Sequence, residues 1–223
     1  DAHLVDVRDW LVRFGAPKSV ARAGLGHAAY GSELFPRAVA SFGAHRSTFR
    51  AVCGRASERL MFLYATCSQR KFYRWALTRA GAFDRETAAV NFYTGETTRA
   101  LSGFEIASLA LMHAADILSV QTPGRAVNTA TAFAMCLVAS AAATLREETR
   151  DGDADASLVD FADALENDVL DDILRAMAST SERSLSKSAS RELREEAMAR
   201  ARHRLRGTRI DAVMVMRATG VLN

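Results

Sequence analysis

Ala23-Gly24-Leu25-Gly26-His27-Ala28-Ala29-Tyr30-Gly31 is the stretch on which the reading of this 223-residue chain turns. It continues an apolar helical pattern that begins near Ser19 and carries Val20, and Tyr30-Gly31-Ser32 breaks it. A histidine at the end of such a helix has two uses. Its ring can hydrogen-bond the carbonyls that a helix end leaves unpaired, or it can serve as a ligand beside a cavity.

Outward from this stretch the pattern is helical. Leu4, Val5, Val7, Trp10, Leu11 and Phe14 recur at helical spacing until Gly15-Ala16-Pro17 stops them. Phe35 to Ser41 reads as loop or short helix, and Arg46 to Ala65 as two helices hinged at Gly54. Between Thr66 and Gly103 periodicity weakens, which suggests a loop over a pocket or a small hairpin. It returns with Ile106, Leu109, Ala110, His113, Ile117 and Leu118, closes at Thr122-Pro123-Gly124, and is followed by an apolar helix from Val127 to Arg146. Glu147 to Asp155 is charged and reads as a linker. Beyond it, amphipathic helices are expected at Leu158 to Ala178, Arg191 to Arg206 and Ile210 to Ala218. The fold class is therefore all-α: a first helical domain over 1–148 and a C-terminal helical subdomain over 156–223 packed on it.

Composition supports this and narrows the partners. Three prolines in the whole chain, with alanine, leucine and arginine recurring, favour helix over strand. A net charge of +3, with basic residues mixed among acids, gives no indication of nucleic acid. Val127 to Leu145 is interrupted by Asn128, Thr129, Thr131, Ser140 and Thr144, so it reads as a buried core helix and no membrane partner is expected. Cys53, Cys67 and Cys136 form an odd set without a CxxC pair and read as buried thiols of a reducing compartment. The opening Asp1-Ala2-His3 carries no signal-peptide pattern and reads as a trimmed chain, and a cytoplasmic location is expected. No Walker loop, dinucleotide fingerprint, serine elbow or zinc-finger spacing occurs.

His3 on the first helix, His27 after the second, Glu58 within Gly54 to Tyr64, and His113-Ala114-Ala115-Asp116-Ile117-Leu118 follow in an order that resembles the HD-domain superfamily, over roughly residues 1–120. That superfamily comprises all-helical bundles, among them metal-dependent phosphohydrolases and diiron oxygenases. Its metal ligands are a histidine on the first helix, a His-Asp doublet, and a late aspartate often preceded by alanine. The resemblance implies an HD-domain-like helical bundle with a C-terminal helical extension, and His3, His27 and Asp116 as metal ligands, with Ala28 where the doublet has aspartate. More narrowly, Gly15-Ala16-Pro17 followed by the 23–31 stretch looks like an uncharacterised HD-related bacterial family in which the doublet is also replaced.

Two imidazoles and one carboxylate have the composition of a 2-His-1-carboxylate triad, which holds a divalent metal, Fe or Mn, and leaves positions open. Glu33, Glu58 or His45 could replace the missing aspartate. His113, three residues before Asp116, shares its helix face and is either a further ligand or a core histidine paired with that aspartate. Tyr30, Glu33 and Glu58 are the catalytic candidates, and Arg46, Arg50 and Lys71 the substrate-binding ones. Arg70 to Trp75 has a competing reading as a solvated cationic helix face, and His203 reads as a surface residue. The expected function is a metal-dependent enzyme on a small polar or anionic molecule, an HD-type non-haem iron oxygenase or a phosphohydrolase in bacterial metabolism or natural-product biosynthesis. The alternative is an inactive pseudoenzyme serving as a ligand-binding or protein-interaction module. A small-molecule substrate is the expected partner, with a homodimer left open.

Overall fold

Two alanine-rich helices form the centre of the protein, and their starts are written in local side-chain chemistry. The computed structural model describes residues 2–78, 81–84, 91, 101–122, 127–150 and 156–205. In it Ser102 and Glu105 make a capping box that opens one central helix, Gly103–Ser119, while the Asn128 side chain accepts from Thr131 N–H and opens the other, Thr129–Glu148. Both are buried on nearly every face and pack along one another, which alanine permits because small side chains let helix axes approach.

In chain order the helices are α1 (Ala2–Arg13), α2 (Lys18–Gly24), α3 (Phe42–Cys53), α4 (Arg55–Thr66), α5 (Gln69–Thr78), the central α6 (Gly103–Ser119) and α7 (Thr129–Glu148), α8 (Ala156–Ala164), α9 (Leu170–Met177), α10 (Thr180–Arg183) and α11 (Lys187–Leu205). A π-helical turn, Leu165–Val169, joins α8 to α9. The protein is all-α; among the described residues the sole strand-like pairing is an isolated bridge between Cys67 and Asn91. α1 lies on α6, α2 lies against α1 and α4, and α8, α9 and α11 cover α7. One hydrophobic cluster runs from Val7, Leu11 and Phe14 through Leu109, Met112, Met135 and Leu137 to Leu165, Ile173 and Met198. Each such large side chain contributes about 1.5–3 kcal/mol on burial. Arg194 on α11 and Asp171 on α9, both buried, meet at 2.6 Å and tie these outer helices together.

α7 is long and apolar enough to cross a membrane by length and composition, yet 78% of its apolar window is buried inside the protein, as expected of a core helix. All three cysteines are buried and free.

Several boundaries differ from the sequence expectation. α2 ends at Gly24, not near His27, because Gly24 and Gly26 weaken the helix and residues 25–30 turn instead. α3 begins at Phe42, where Ser41 caps it through Ala44 N–H. Arg70 to Trp75, placed by sequence in a weakly patterned loop or hairpin region, lie in α5. The helix expected at Ile210 to Ala218 lies outside the described residues.

The loop 31–41 positions the site described next. Gly31 adopts φ 71°, and the carbonyls of Phe35 and Pro36 stand where a side chain would project. Ser32 N–H donates to Phe35 O at 2.7 Å, Val39 and Ala40 N–H donate to Ala29 O, and Leu34 N–H donates to Gln69 Oε1 on α5. The loop is thereby fastened to both the 25–30 turn and α5.

Candidate metal centre

Three chain segments deliver one ligand each. His3 comes from the first turn of α1, His27 from the turn after α2, and Asp116 from the last turn of α6. Their ligand atoms all lie within 4.8 Å of one another, a group that could hold a metal ion. His3 Nε2 is 3.2 Å and His27 Nε2 is 3.6 Å from Asp116 Oδ1. The two rings meet edge to face, with centroids 5.4 Å apart.

The hydrogen bonds behind these atoms determine which way each ring faces. His27 Nδ1 lies 2.8 Å from Gly24 O; a carbonyl only accepts, so Nδ1 carries the hydrogen and Nε2 faces the carboxylate. Nδ1 thus makes the carbonyl bond of a helix end, and Nε2 is left to the group that could hold a metal ion. Ser119 Oγ donates its single hydrogen to Asp116 O at 2.7 Å and therefore accepts from His3 Nδ1 at 3.0 Å. Tyr64 OH donates to Asp116 Oδ2 at 2.9 Å, leaving Oδ1 to the histidines. Partners of this kind fix tautomer and orientation in metal sites. The space between the three ligand atoms suits either a proton held by His3 or a cation.

Electrostatics follow from this packing. The hydrogen bond to Asp116 holds the His3 imidazole above its ordinary value, against the opposing effect of burial. Burial would raise the Asp116 carboxyl, but hydrogen bonds and charge from His3, with His27 and Tyr64, outweigh it and hold the group below its usual range. Burial, reinforced by the Asp116 charge, pushes the phenols of Tyr64 and Tyr73 well above theirs.

The cluster forms the floor of a cavity of about 380 Å³. Ala28, Leu34, Phe35, Ile117 and Val120 give it apolar walls; Ser32, Gln69, Tyr64 and Tyr73 add polar atoms, and Arg37 is the one cation other than histidine among its described lining residues. Ala28, next to His27, also lines this space.

The other sequence candidates are placed elsewhere. His113 is not in the cluster: its Nδ1 faces Gln69 Nε2 and Tyr73 OH, both at 3.5 Å, its ring packs on Tyr64 with centroids 4.4 Å apart, and burial pushes it down to about 3, so it is a neutral core histidine. Tyr30, Glu58, Arg46 and Arg50 join one another in a separate cluster. Glu58, fully buried, accepts from Arg46 at 2.5 and 3.0 Å, from Arg50 at 2.8 Å and from Tyr30 OH at 3.2 Å. Burial raises the Glu58 carboxyl, and the two arginines more than reverse that, leaving it lowered; burial and Glu58 push Tyr30 up to about 12. None of these four lines the cavity.

Glu33 accepts from Ser68 Oγ and Arg70 N–H, each at 3.0 Å, and so caps α5. Lys71, with Arg70 and Arg74, is on the exposed face of α5 while Phe72 and Tyr73 are buried, which is the solvated cationic face. His45 is exposed and its Nδ1 accepts from Ser41 N–H. His203 is exposed on α11. Among the described residues no further histidine, cysteine or carboxylate joins the group of His3, His27 and Asp116.

Tyr64, Ser119, Gln69 and Arg37 are the site residues that sequence reasoning missed. Ser119 had a usable signal, being three residues after Asp116 on the same helix. Tyr64 reads from sequence only as an apolar-face residue of its helix.

A family model described as a domain of unknown function (DUF6817) matches residues 1–69, a span that contains His3, His27 and Tyr64 but not Asp116. No curated protein and no solved structure matches the chain.

Proposed function

We propose that the protein is a divalent-metal-dependent enzyme acting on a small anionic molecule, on an HD-like helical scaffold, with His3, His27 and Asp116 as a three-ligand metal centre. The observation that carries this reading is the convergence of His3 Nε2, His27 Nε2 and Asp116 Oδ1 at the floor of the cavity, each held from behind by Ser119, Gly24 O or Tyr64. Two imidazoles and a carboxylate suit iron(II) or manganese(II) better than magnesium or calcium, which prefer all-oxygen sites. When bound, such an ion supplies Lewis acidity to a ligand or water in its open positions.

The chain supplies the remainder. His27 is 4% exposed, so its side of the cluster is shielded from bulk water and charge interactions there are strengthened, while His3 and Asp116 are partly exposed. Tyr64 and Tyr73, with phenols well above their ordinary range, keep their protons and can act only as hydrogen-bond donors or acceptors near neutral pH. Glu58 and Glu33, fully engaged elsewhere, are not available as general base. Between the two chemistries the resemblance allows, the apolar walls and the single arginine among the described lining residues favour an oxygenase over a phosphohydrolase, since a phosphate ester calls for several cations or amide donors.

The deciding experiment is elemental analysis of protein purified without chelator, beside His27→Ala. About one equivalent of iron or manganese, lost in the variant while the helical circular dichroism stays unchanged, is the expected outcome. Metal-free wild type that also fails to take up Fe(II) or Mn(II) on titration sinks the proposal. That result would favour a binding module built on the same cavity, the reading to which Ala28 in the doublet position gives its weight.

A further inference from the structure

We infer that the cavity takes a monocarboxylate with an apolar body, and that Arg37 is the residue that selects its charge; this rests on the proposed site and names its ligand class. Three observations converge on it. Arg37 lines the cavity, is exposed, and has no hydrogen bond or ion pair with any described residue, so its five donors are uncommitted. Phe35, 48% exposed, and Val120, 38% exposed, line the same space, and exposed apolar groups beside a cavity gain from being covered. Buried His27 and partly buried Asp116 line the same cavity, so an apolar lining, one guanidinium and the ligand-bearing cluster share one space.

The count of charges selects the headgroup. Among the described residues Arg37 is the one lysine or arginine that lines the cavity. A carboxylate carries one negative charge and fits the planar fork of a guanidinium. A phosphate monoester carries about two charges, and the described residues bring no second lysine or arginine to the cavity to meet it. The volume of about 380 Å³ lies at the small end of the range for small-molecule sites, about 300–1,000 Å³, and suits an eight-carbon chain or a phenyl-bearing acid more than a polysaccharide or nucleotide. The body lies against Leu34, Phe35, Ile117 and Val120, with its carboxylate on Arg37.

Calorimetric titration of the full chain, with its metal content measured in parallel, tests this with octanoate and 3-phenylpropionate against the matching alcohols and phosphate monoesters. Saturable binding of at least one acid is expected, weakened about tenfold by Arg37→Gln, with Arg37→Lys intermediate and the alcohols unaffected by either change. Arg37 is exposed and without a described partner, so its variants keep the fold. Failure of both acids to bind, equal binding of the alcohols, or tighter binding of the phosphate monoesters overturns the inference. Repeating the titration after chelation separates the two proposals: acid binding that depends on Arg37 in metal-free protein upholds the carboxylate site even if the metal reading fails.

Discussion

Tyr64 on α4 holds Asp116 on α6 through a phenol-to-Oδ2 hydrogen bond of 2.9 Å, so one carboxylate oxygen is committed to the scaffold and the other to the histidines. The bond spans 52 residues of sequence and lies between helices that pack directly. Tyr64→Phe removes it while keeping the ring contacts with His27 and His113. The expected loss is about 10-fold in Mn(II) or Fe(II) affinity, with a stability change of only about 1 kcal/mol because the ring stays packed. Metal titration and a chemical melt measure both. Unaltered affinity would show that Asp116 needs no support from α4.

Ser119 fixes His3 by a different logic. Its hydroxyl hydrogen goes to Asp116 O, so it can only accept from His3 Nδ1, and His3 Nε2 faces the carboxylate. Ser119→Ala leaves that tautomer unselected, and a loss of about 10-fold in metal affinity is expected, whereas Ser119→Thr keeps the hydroxyl and restores it. The nitrogen-15 shifts of the His3 ring in metal-free protein give an independent readout: the alanine variant shows mixed tautomers and the threonine variant does not. Equal metal affinity in all three proteins would remove Ser119 from the site.

How much of this is legible in sequence depends on distance along the chain. His3, His27 and Asp116 are singled out by the resemblance, and periodicity adds only that each lies at or just beyond a helix end. The caps of α6 and α7 are legible too, as Ser102 with Glu105 and as Asn128. The charged residues around Tyr30 are not. Arg46 and Arg50 are four apart on α3 and Glu58 begins α4, a pattern that describes a substrate-binding face or a self-neutralising cluster equally well. Only the turn at Gly54 decides it, by folding α4 back so that the carboxylate meets both guanidinium groups. Arg37 was overlooked for the opposite reason: it stands alone in a loop without periodicity, and only the cavity gives it meaning.

The Glu58 cluster makes a pH prediction with a definite sign. The carboxyl titrates lower in the folded protein than its ordinary 4.5, because Arg46 and Arg50 favour the ionised form more than burial disfavours it. Its contribution to stability is therefore complete above about pH 4.5 and is lost as pH falls through the lowered value. Glu58→Gln should cost about 1–3 kcal/mol at pH 7, a moderate figure because Arg46 and Arg50 are partly exposed and can turn to water. The gap between wild type and variant should stay constant from pH 7 to about 5 and narrow below 4.5. Urea melts across that range measure it. A gap that persists undiminished at pH 3 would show that Glu58 is not held ionised by its arginines.

Gly24 couples the scaffold to the metal centre, since it sets how closely α2 approaches α1 and also supplies the carbonyl that orients His27. A Cβ at this position would stand 2.5 Å from Leu11 Cδ1 and 3.3 Å from Val7 Cγ1, both on fully buried side chains of α1 with little room to retreat. Replacing glycine by alanine within a helix otherwise gains about 1 kcal/mol. Overpacking costs about 1–3 kcal/mol, so Gly24→Ala should be net destabilising, by up to about 2 kcal/mol. Because α1 carries His3 and the α2 turn carries His27, the same separation should lengthen the distance between the two imidazoles and weaken metal binding beyond what the lost stability explains. Chemical denaturation and metal titration of the one variant read the two effects separately. A Gly24→Ala protein that is more stable than wild type and binds metal equally well would show that α1 can yield without moving His3, and that the two ligands are held by their own hydrogen bonds and not by the spacing of the helices.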